Sequence, residues 1–301
     1  MRKYLLILLL LLLPFTVHAQ SPSGAIRAEP AFTEVVLNQP DEEKTIAIEY
    51  KNESTSPVSL ELFPLDFKQQ DETGVISFLG KDAGSFSYSL SSFLTFPVTT
   101  LELQPQEKKV IQIAVKNRPD LSPGGHYAAV IARQRNDQRS QSDTSISPSL
   151  STLILLRKTG GERFNLSLKR VNWPDNFIVF GYPSSIHLFF QNEGNVHVVP
   201  YGRTEITDMF GRLIYKGIIN TSSSRVFPSS RRYISTDLRY ITYSLPISIN
   251  TISIKGNDSL HKTTFSYNES FIYINPFFVI GVSIVVYIAF RIIKKRKKKN
   301  V

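Results

Sequence analysis

The 301-residue chain has no cysteine. Disulfides, zinc–thiolate centres and cysteine nucleophiles are therefore excluded, and any folded core must hold without covalent staples. Tryptophan occurs once, at Trp173, and only four histidines follow the first twenty residues: His126, His187, His197 and His261. No stretch before residue 271 keeps a helical apolar period over three turns, and no Gly-x-Ser-x-Gly elbow occurs. These absences remove helical bundles and serine-hydrolase chemistry of the elbow type.

What the chain has in plenty is apolar sequence at its two ends. "MRKYLLILLLLLLPFTVHAQ" sets Arg2 and Lys3 before an apolar run and ends it at Val17-His18-Ala19, the pattern of a secretory signal over residues 1–19. The run is shorter than the ~20 residues needed to cross a bilayer, which argues against an uncleaved anchor. "FIYINPFFVIGVSIVVYIAF", Phe271 to Phe290, carries no charge and is one bilayer thickness long as a helix. A transmembrane helix is expected over 271–293 and a basic tail over 294–301. Arg291, Lys294, Lys295, Arg296, Lys297, Lys298 and Lys299 put that end in the cytoplasm by the positive-inside rule, with the rest of the protein outside a cell membrane crossed once.

The ends also account for the net charge of +10. The tail supplies seven of these charges and the leader two, leaving one for Gln20 to Ser270. The basicity thus reports topology, and no nucleic-acid partner is expected.

Between the ends, alternation has period two. "KTIAIEY" sets Ile46, Ile48 and Tyr50 on one face, "VSLELF" does so with Val58, Leu60 and Leu62, and "KKVIQIAV" with Ile111, Ile113 and Val115. "SSIHLFF" repeats it with Ile186, Leu188 and Phe190. Short strands between turn signals predict an all-β fold: two tandem immunoglobulin-like antiparallel sandwiches followed by the helix. Gly160-Gly161 makes the joint, giving domains over 20–160 and 161–268, and "NDQRSQSDTSISPS" is a long exposed loop before it. "IAIEYKNESTSPVSLEL" is echoed by "IHLFFQNEGNVHVVPYG", each ending a strand in an aromatic, a polar residue and Asn-Glu.

The stretch "RPDLSPGGHYAAVIARQR" tests two ideas. A phosphate-cradling loop would open a helix, whereas "HYAAVIARQR" alternates as a strand. A structural corner fits better, with Gly124 and Gly125 for positive φ or close approach and Tyr127 bonding back across the corner that precedes it. Ala129 stands where a disulfide-bonded domain would place cysteine.

From Phe86 to Arg135, "FSYSLSSFLTFPVTTLELQPQEKKVIQIAVKNRPDLSPGGHYAAVIARQR", the chain resembles the N-terminal domain of the WxL-interacting cell-surface proteins of Gram-positive bacteria. The serine-rich entry, the turn before an alternating strand and the Pro-Gly-Gly-His-Tyr corner carry the likeness, and Phe93 stands where that family usually has tryptophan. The resemblance implies a signal, two immunoglobulin-like domains and one membrane helix. It also implies a non-enzymatic role in binding peptidoglycan or another wall polymer and surface-protein partners. The alternative is a chaperone-like or surface-assembly module that binds client strands by β-augmentation.

No catalytic, metal or cofactor constellation is expected. His187 and His197 flank a turn without carboxylates at ligand spacing, and Asp41 to Glu43, like Asp71 and Glu72, lie at turns that read as solvated hairpin tips. Trp173 reads as a core or boundary aromatic, the competing idea being a sugar platform. Asn-x-Ser/Thr sequons lie at Asn52, Asn165, Asn220, Asn257 and Asn268.

Overall fold

The computed structural model describes residues 26–80, 86–135, 149–173 and 177–299. The expected signal over 1–19 and the polar loop over 136–148 lie outside the described residues. The rest forms two immunoglobulin-like β-sandwiches and one C-terminal helix.

In the first sandwich one sheet runs β1 (Ile26–Glu29), β3 (Glu43–Asn52), β8 (Lys108–Lys116), β6 (Leu94–Thr95). The facing sheet runs β2 (Phe32–Leu37), β10 (Ser149–Lys158), β9 (Gly124–Gln134), β4 (Val58–Gln69), β5 (Ile76–Phe78), with β7 (Thr100–Leu103) on the other end of β4. The first chain segment serves both sheets. β1 pairs antiparallel with β3, and β2 then crosses over to pair parallel with β10, Phe32 opposite Leu153 through Leu37 opposite Lys158.

The second sandwich repeats the plan. β11 (Leu166–Asn172), β13 (Ser185–Asn192) and β16 (Ser230–Asp237) form one sheet. The other runs β12 (Ile178–Val179), β19 (Thr264–Ile274), β18 (Ile247–Asp258), β14 (Pro200–Asp208), β15 (Leu213–Ile219), β17 (Arg239–Tyr240). Again the opening segment splits, β11 staying with β13 and β12 running parallel to the last strand.

The period-two residues fill the two cores. Ile46, Ile48, Tyr50, Val58, Leu60, Leu62, Ile111, Ile113 and Val115 pack together in the first, and Leu166, Ile186, Leu188, Phe190, Ile252 and Phe271 in the second. Strand β9 departs from alternation, because Gly124 to Ala132 are all buried. One of its faces lies on the first core. The other, with Tyr127, Ala129 and Ile131, forms a separate apolar cluster with Phe67, Leu155 and Phe227.

The C-terminal boundary differs from the sequence expectation. Phe271–Ile274 are the end of β19, not the start of a membrane segment, so the second sandwich reaches Ile274 instead of ending at 268. Helix α1 spans Pro276–Lys299 instead of 271–293 and carries into the basic run. The reason is local. Phe271 and Tyr273 alternate inward against the second core, and only at Pro276 does the chain meet a residue preorganised for a first helical turn. Asn275 caps α1, its Oδ1 accepting the Phe277 N–H at 2.9 Å.

Candidate binding surfaces

The Pro-Gly-Gly-His-Tyr stretch does form a corner, and the corner is the joint between the two sandwiches. Tyr127 does not bond back across its own turn. Its hydroxyl accepts the backbone N–H of His197 at 2.9 Å, 70 residues away in the second sandwich. Its ring meets Phe227 edge-on at 4.9 Å, with Phe67 at 5.9 Å and the His197 ring at 5.7 Å. Complete burial drives the phenol pKa well above its ordinary value, so Tyr127 is a neutral structural pin. Gly125 donates its N–H to Asn195 O at 2.7 Å, and a Cβ there would strike the Tyr127 hydroxyl. Gly124 sits at φ +123°, which favours glycine. The side chain of Asn195 completes the joint, accepting from Arg163 N at 2.6 Å and donating to Gly161 O at 3.0 Å.

A charged group flanks these aromatics. The His197 ring (Nε2 at 3.7 Å) and the Arg225 guanidinium (Nη2 at 2.5 Å) hold the Glu34 carboxyl down from 4.5 to about 2, against its partial burial. At 3.7 Å the ring is beyond hydrogen-bond reach, so the guanidinium is the stronger partner geometrically. Arg225 also lies over the Phe32 ring at 4.4 Å.

The β4–β5 hairpin provides a third tie, along the outer edge of β16. Tyr233 N–H donates to Glu72 O at 2.9 Å, Ser230 Oγ donates to Gln69 Oε1 at 3.0 Å, and Gln69 Nε2 donates to Arg231 O. Asp71 and Glu72, read from sequence as a solvated tip, thus belong to the joint through backbone and turn. Asp71 accepts from Thr73 N at 2.8 Å, and with the Thr73 side-chain bond this lowers its pKa.

Between these ties lies a cleft with two connected parts. One, of about 220 Å³, is lined by Phe67, Phe86, Tyr88, Tyr127 and Phe227. The other, of about 440 Å³, is lined by Gln70, Asp71, Glu72, Gln191 and Arg231, and the two share Gln69, Ser229 and Ser230. The serine-rich entry that borders the cleft is organised by Asp66, whose carboxylate accepts from Leu90 N, Ser91 N, Ser89 Oγ and Ser91 Oγ at 2.6–2.9 Å.

A second surface is the outer edge of β19. Strand β12 covers it only at Ile272 and Tyr273, where Ile272 donates its N–H to Phe177 O. Since Ile272 points its amide outward, the unbroken register with β18 points those of Ser270, Asn268, Ser266 and Thr264 outward too. Among the described residues no main-chain hydrogen bond reaches these four from that side.

The remaining sequence candidates fall into structural places. His126 is buried, its ring nitrogens facing Ser89 O and Ser122 O at 2.9 and 2.8 Å. His187 meets Tyr233 edge-on and lies apart from His197, which belongs to the joint. Among the described residues no three His, Asp or Glu are grouped to hold a metal. Trp173 is buried against Phe271 at 5.0 Å, and Phe93 packs on the first core beneath Arg118. Asn52 and Asn220 are buried and hydrogen-bonded, so those two sequons are structural asparagines. Sequence reading missed Glu34, Asn195, Arg225 and Phe227, since each acts through a partner far along the chain.

No protein-family model matches the chain, and no curated protein does. Among solved structures it is similar in fold to the class 5 fimbriae chaperone CfaA, at 11% identity and TM-score 0.43, over 82% of this chain and 99% of that one. A chain of the chaperone–tip adhesin complex of CFA/I fimbriae matches at 11% identity and TM-score 0.44, over 82% and 98%. The CupB2 chaperone of Pseudomonas aeruginosa matches at 10% identity and TM-score 0.35, over 79% and 97%. At these values the likeness concerns fold alone.

Proposed function

We propose that the chain is a non-enzymatic, membrane-anchored binding arm that holds a protein partner by adding an extended segment of it to the open edge of β19. Pro276–Lys295 of α1 is fully exposed, with a mean hydropathy of 2.3, and a helix of 20 residues rises about 30 Å, the thickness of a bilayer core. The basic run after it faces the cytoplasm and both sandwiches stand outside.

The observation that carries the reading is the outward row Thr264, Ser266, Asn268 and Ser270: four amides with no strand partner among the described residues, and side chains without a charge or proline to blunt the edge. Three other edges are blunted or covered. Strand β11 carries a bulge with Lys169 and Arg170, β1 carries Arg27 and Glu29, and β16 lies under the β4–β5 hairpin. A photo-crosslinking residue at Ser266 of the full-length chain in its own membrane is expected to capture one surface protein. Asn268→Pro removes an outward N–H and no bond of the β18 ladder, and is expected to lower capture about tenfold. Equal capture by this variant would refute the strand-addition reading.

A second reading has its own support in the joint. Aromatic faces beside amides and carboxylates suit a sugar polymer, and the resemblance in the first domain implies peptidoglycan. Tyr88→Ala would then lose sedimentation with purified cell wall while leaving protein capture unchanged.

A further inference from the structure

We infer that the lower rim of the second sandwich is a lipid-docking surface, seated in the headgroup layer of the outer leaflet around the point where α1 enters. The inference rests on the anchoring of α1 proposed above.

Only Asn275 separates the last residue of β19 from the first of α1. Its N–H is held by Pro246 O at 2.8 Å and its side chain caps the helix, so the link is a fixed corner, not a tether. With α1 in a bilayer, whatever lies level with Ile274 must meet the membrane surface.

The register identifies those residues. Ile247 lies opposite Ile274 in β18. Strand β12 pairs Val179 with Tyr273, which brings Phe180 level with Ile274 and leaves Phe177 level with Phe271, about 10 Å higher. The β14–β15 hairpin turns beyond Asp208, itself opposite Asn250, and so projects Phe210 from its tip towards that level. Tyr243 and Phe210 both flank the Arg212 guanidinium, which is 5.7 Å from one ring and 6.0 Å from the other. Phe177, Phe180, Phe210, Tyr243 and Ile247 are exposed by 65, 58, 70, 66 and 56%. A six-stranded sheet is about 24 Å wide, and these side chains are spread along its whole lower edge. A row of large apolar groups on one rim exceeds the single scattered ones that soluble surfaces carry.

The rim is also preformed. The buried Asp208 carboxylate accepts from Phe210 N at 3.0 Å and Arg212 N at 2.9 Å, and pairs with the Arg212 guanidinium at 2.6 Å. The hairpin tip is thereby fixed with Phe210 pointing outward. Aromatic rings with an arginine beside them match the headgroup region, where apolar faces and cations are both accommodated.

The absence of native cysteine makes the test direct. The full-length chain, one copy per lipid nanodisc, is labelled with an environment-sensitive fluorophore at Phe177→Cys, Phe210→Cys or Tyr243→Cys. Val110→Cys on the first sandwich and Val286→Cys in α1 serve as references. Labels at 177, 210 and 243 are expected to be quenched by nitroxide lipid and to lose severalfold in iodide quenching relative to the label at 110. Iodide access at all three equal to that at 110, with 286 still lipid-protected, would overturn the inference and leave the anchor reading intact. Iodide access at 286 would instead overturn the anchor reading. Shielding that arises only with two chains per disc would overturn the inference in favour of contact between copies.

Discussion

The two sandwiches share a plan and differ in where their surplus apolar surface goes. Each opens with a segment split between its sheets, and in each a buried asparagine anchors the crossing from β3 to β4 or from β13 to β14, which lie in opposite sheets. Asn52 donates to Ser56 O, Leu103 O and Gln104 O and accepts from Ser54 N, whereas Asn192 donates to Val196 O and Val226 O and accepts from Gly194 N. The first sandwich covers the outer face of β9 with Phe227 of its neighbour. The second leaves Phe177, Phe210 and Tyr243 in the open. The same topology thus supplies a joint in one copy and an uncovered rim in the other, through side chains that the shared core does not need.

The sharpest way to break this contrast is Phe227→Ala. It removes a buried ring that packs on Phe67 and Tyr127, at a cost of about 3 kcal/mol, and calorimetry is expected to resolve two transitions where the intact chain shows one. One transition for both proteins would mean that the joint does not couple the sandwiches. Next come Asn52→Ala and Asn192→Ala, each stranding buried main-chain groups at about 2 kcal/mol. If the asparagines are equivalent, the two losses agree within about 0.5 kcal/mol in denaturant unfolding. Smaller is the effect of acid on the joint. Because the folded pKa of Glu34 is lowered to about 2 from 4.5, its stabilising contribution is complete above 4.5 and fades as the pH falls towards 2. Glu34→Gln should remove that part of the acid dependence, measured as melting temperature against pH. Its size is modest, since the carboxylate is partly solvated. The smallest effect is Asn268→Pro, with unfolding free energy within about 0.5 kcal/mol of the parent, as expected for an outward edge position.

Much of this plan is legible in sequence because it is written in short periods. Ile46, Ile48 and Tyr50 declare their face within five residues, and the Asn-Glu echo marks the two sheet-to-sheet crossings without showing that the asparagine is the buried anchor. The joint is not legible. Tyr127 and His197 are 70 residues apart, and Glu34 and Arg225 are 191 apart, so nothing local distinguishes them from surface residues. A corner tyrosine suggested a bond within its own domain, and the partner lay in the next one. The strand–helix boundary was obscured for another reason. Phe271–Ile274 are apolar because they end a core strand, and hydropathy merges them with the apolar helix that follows.

A one-residue corner beneath a stiff pair of sandwiches also shapes the search for a partner. With α1 anchored as proposed, the β19 edge would be presented at one height above the bilayer, leaving lateral drift and spin about the membrane normal as its freedoms. Encounter with another anchored protein would then become a problem in two dimensions, and a client whose extended segment emerges at a different height would miss the edge however well its sequence matched.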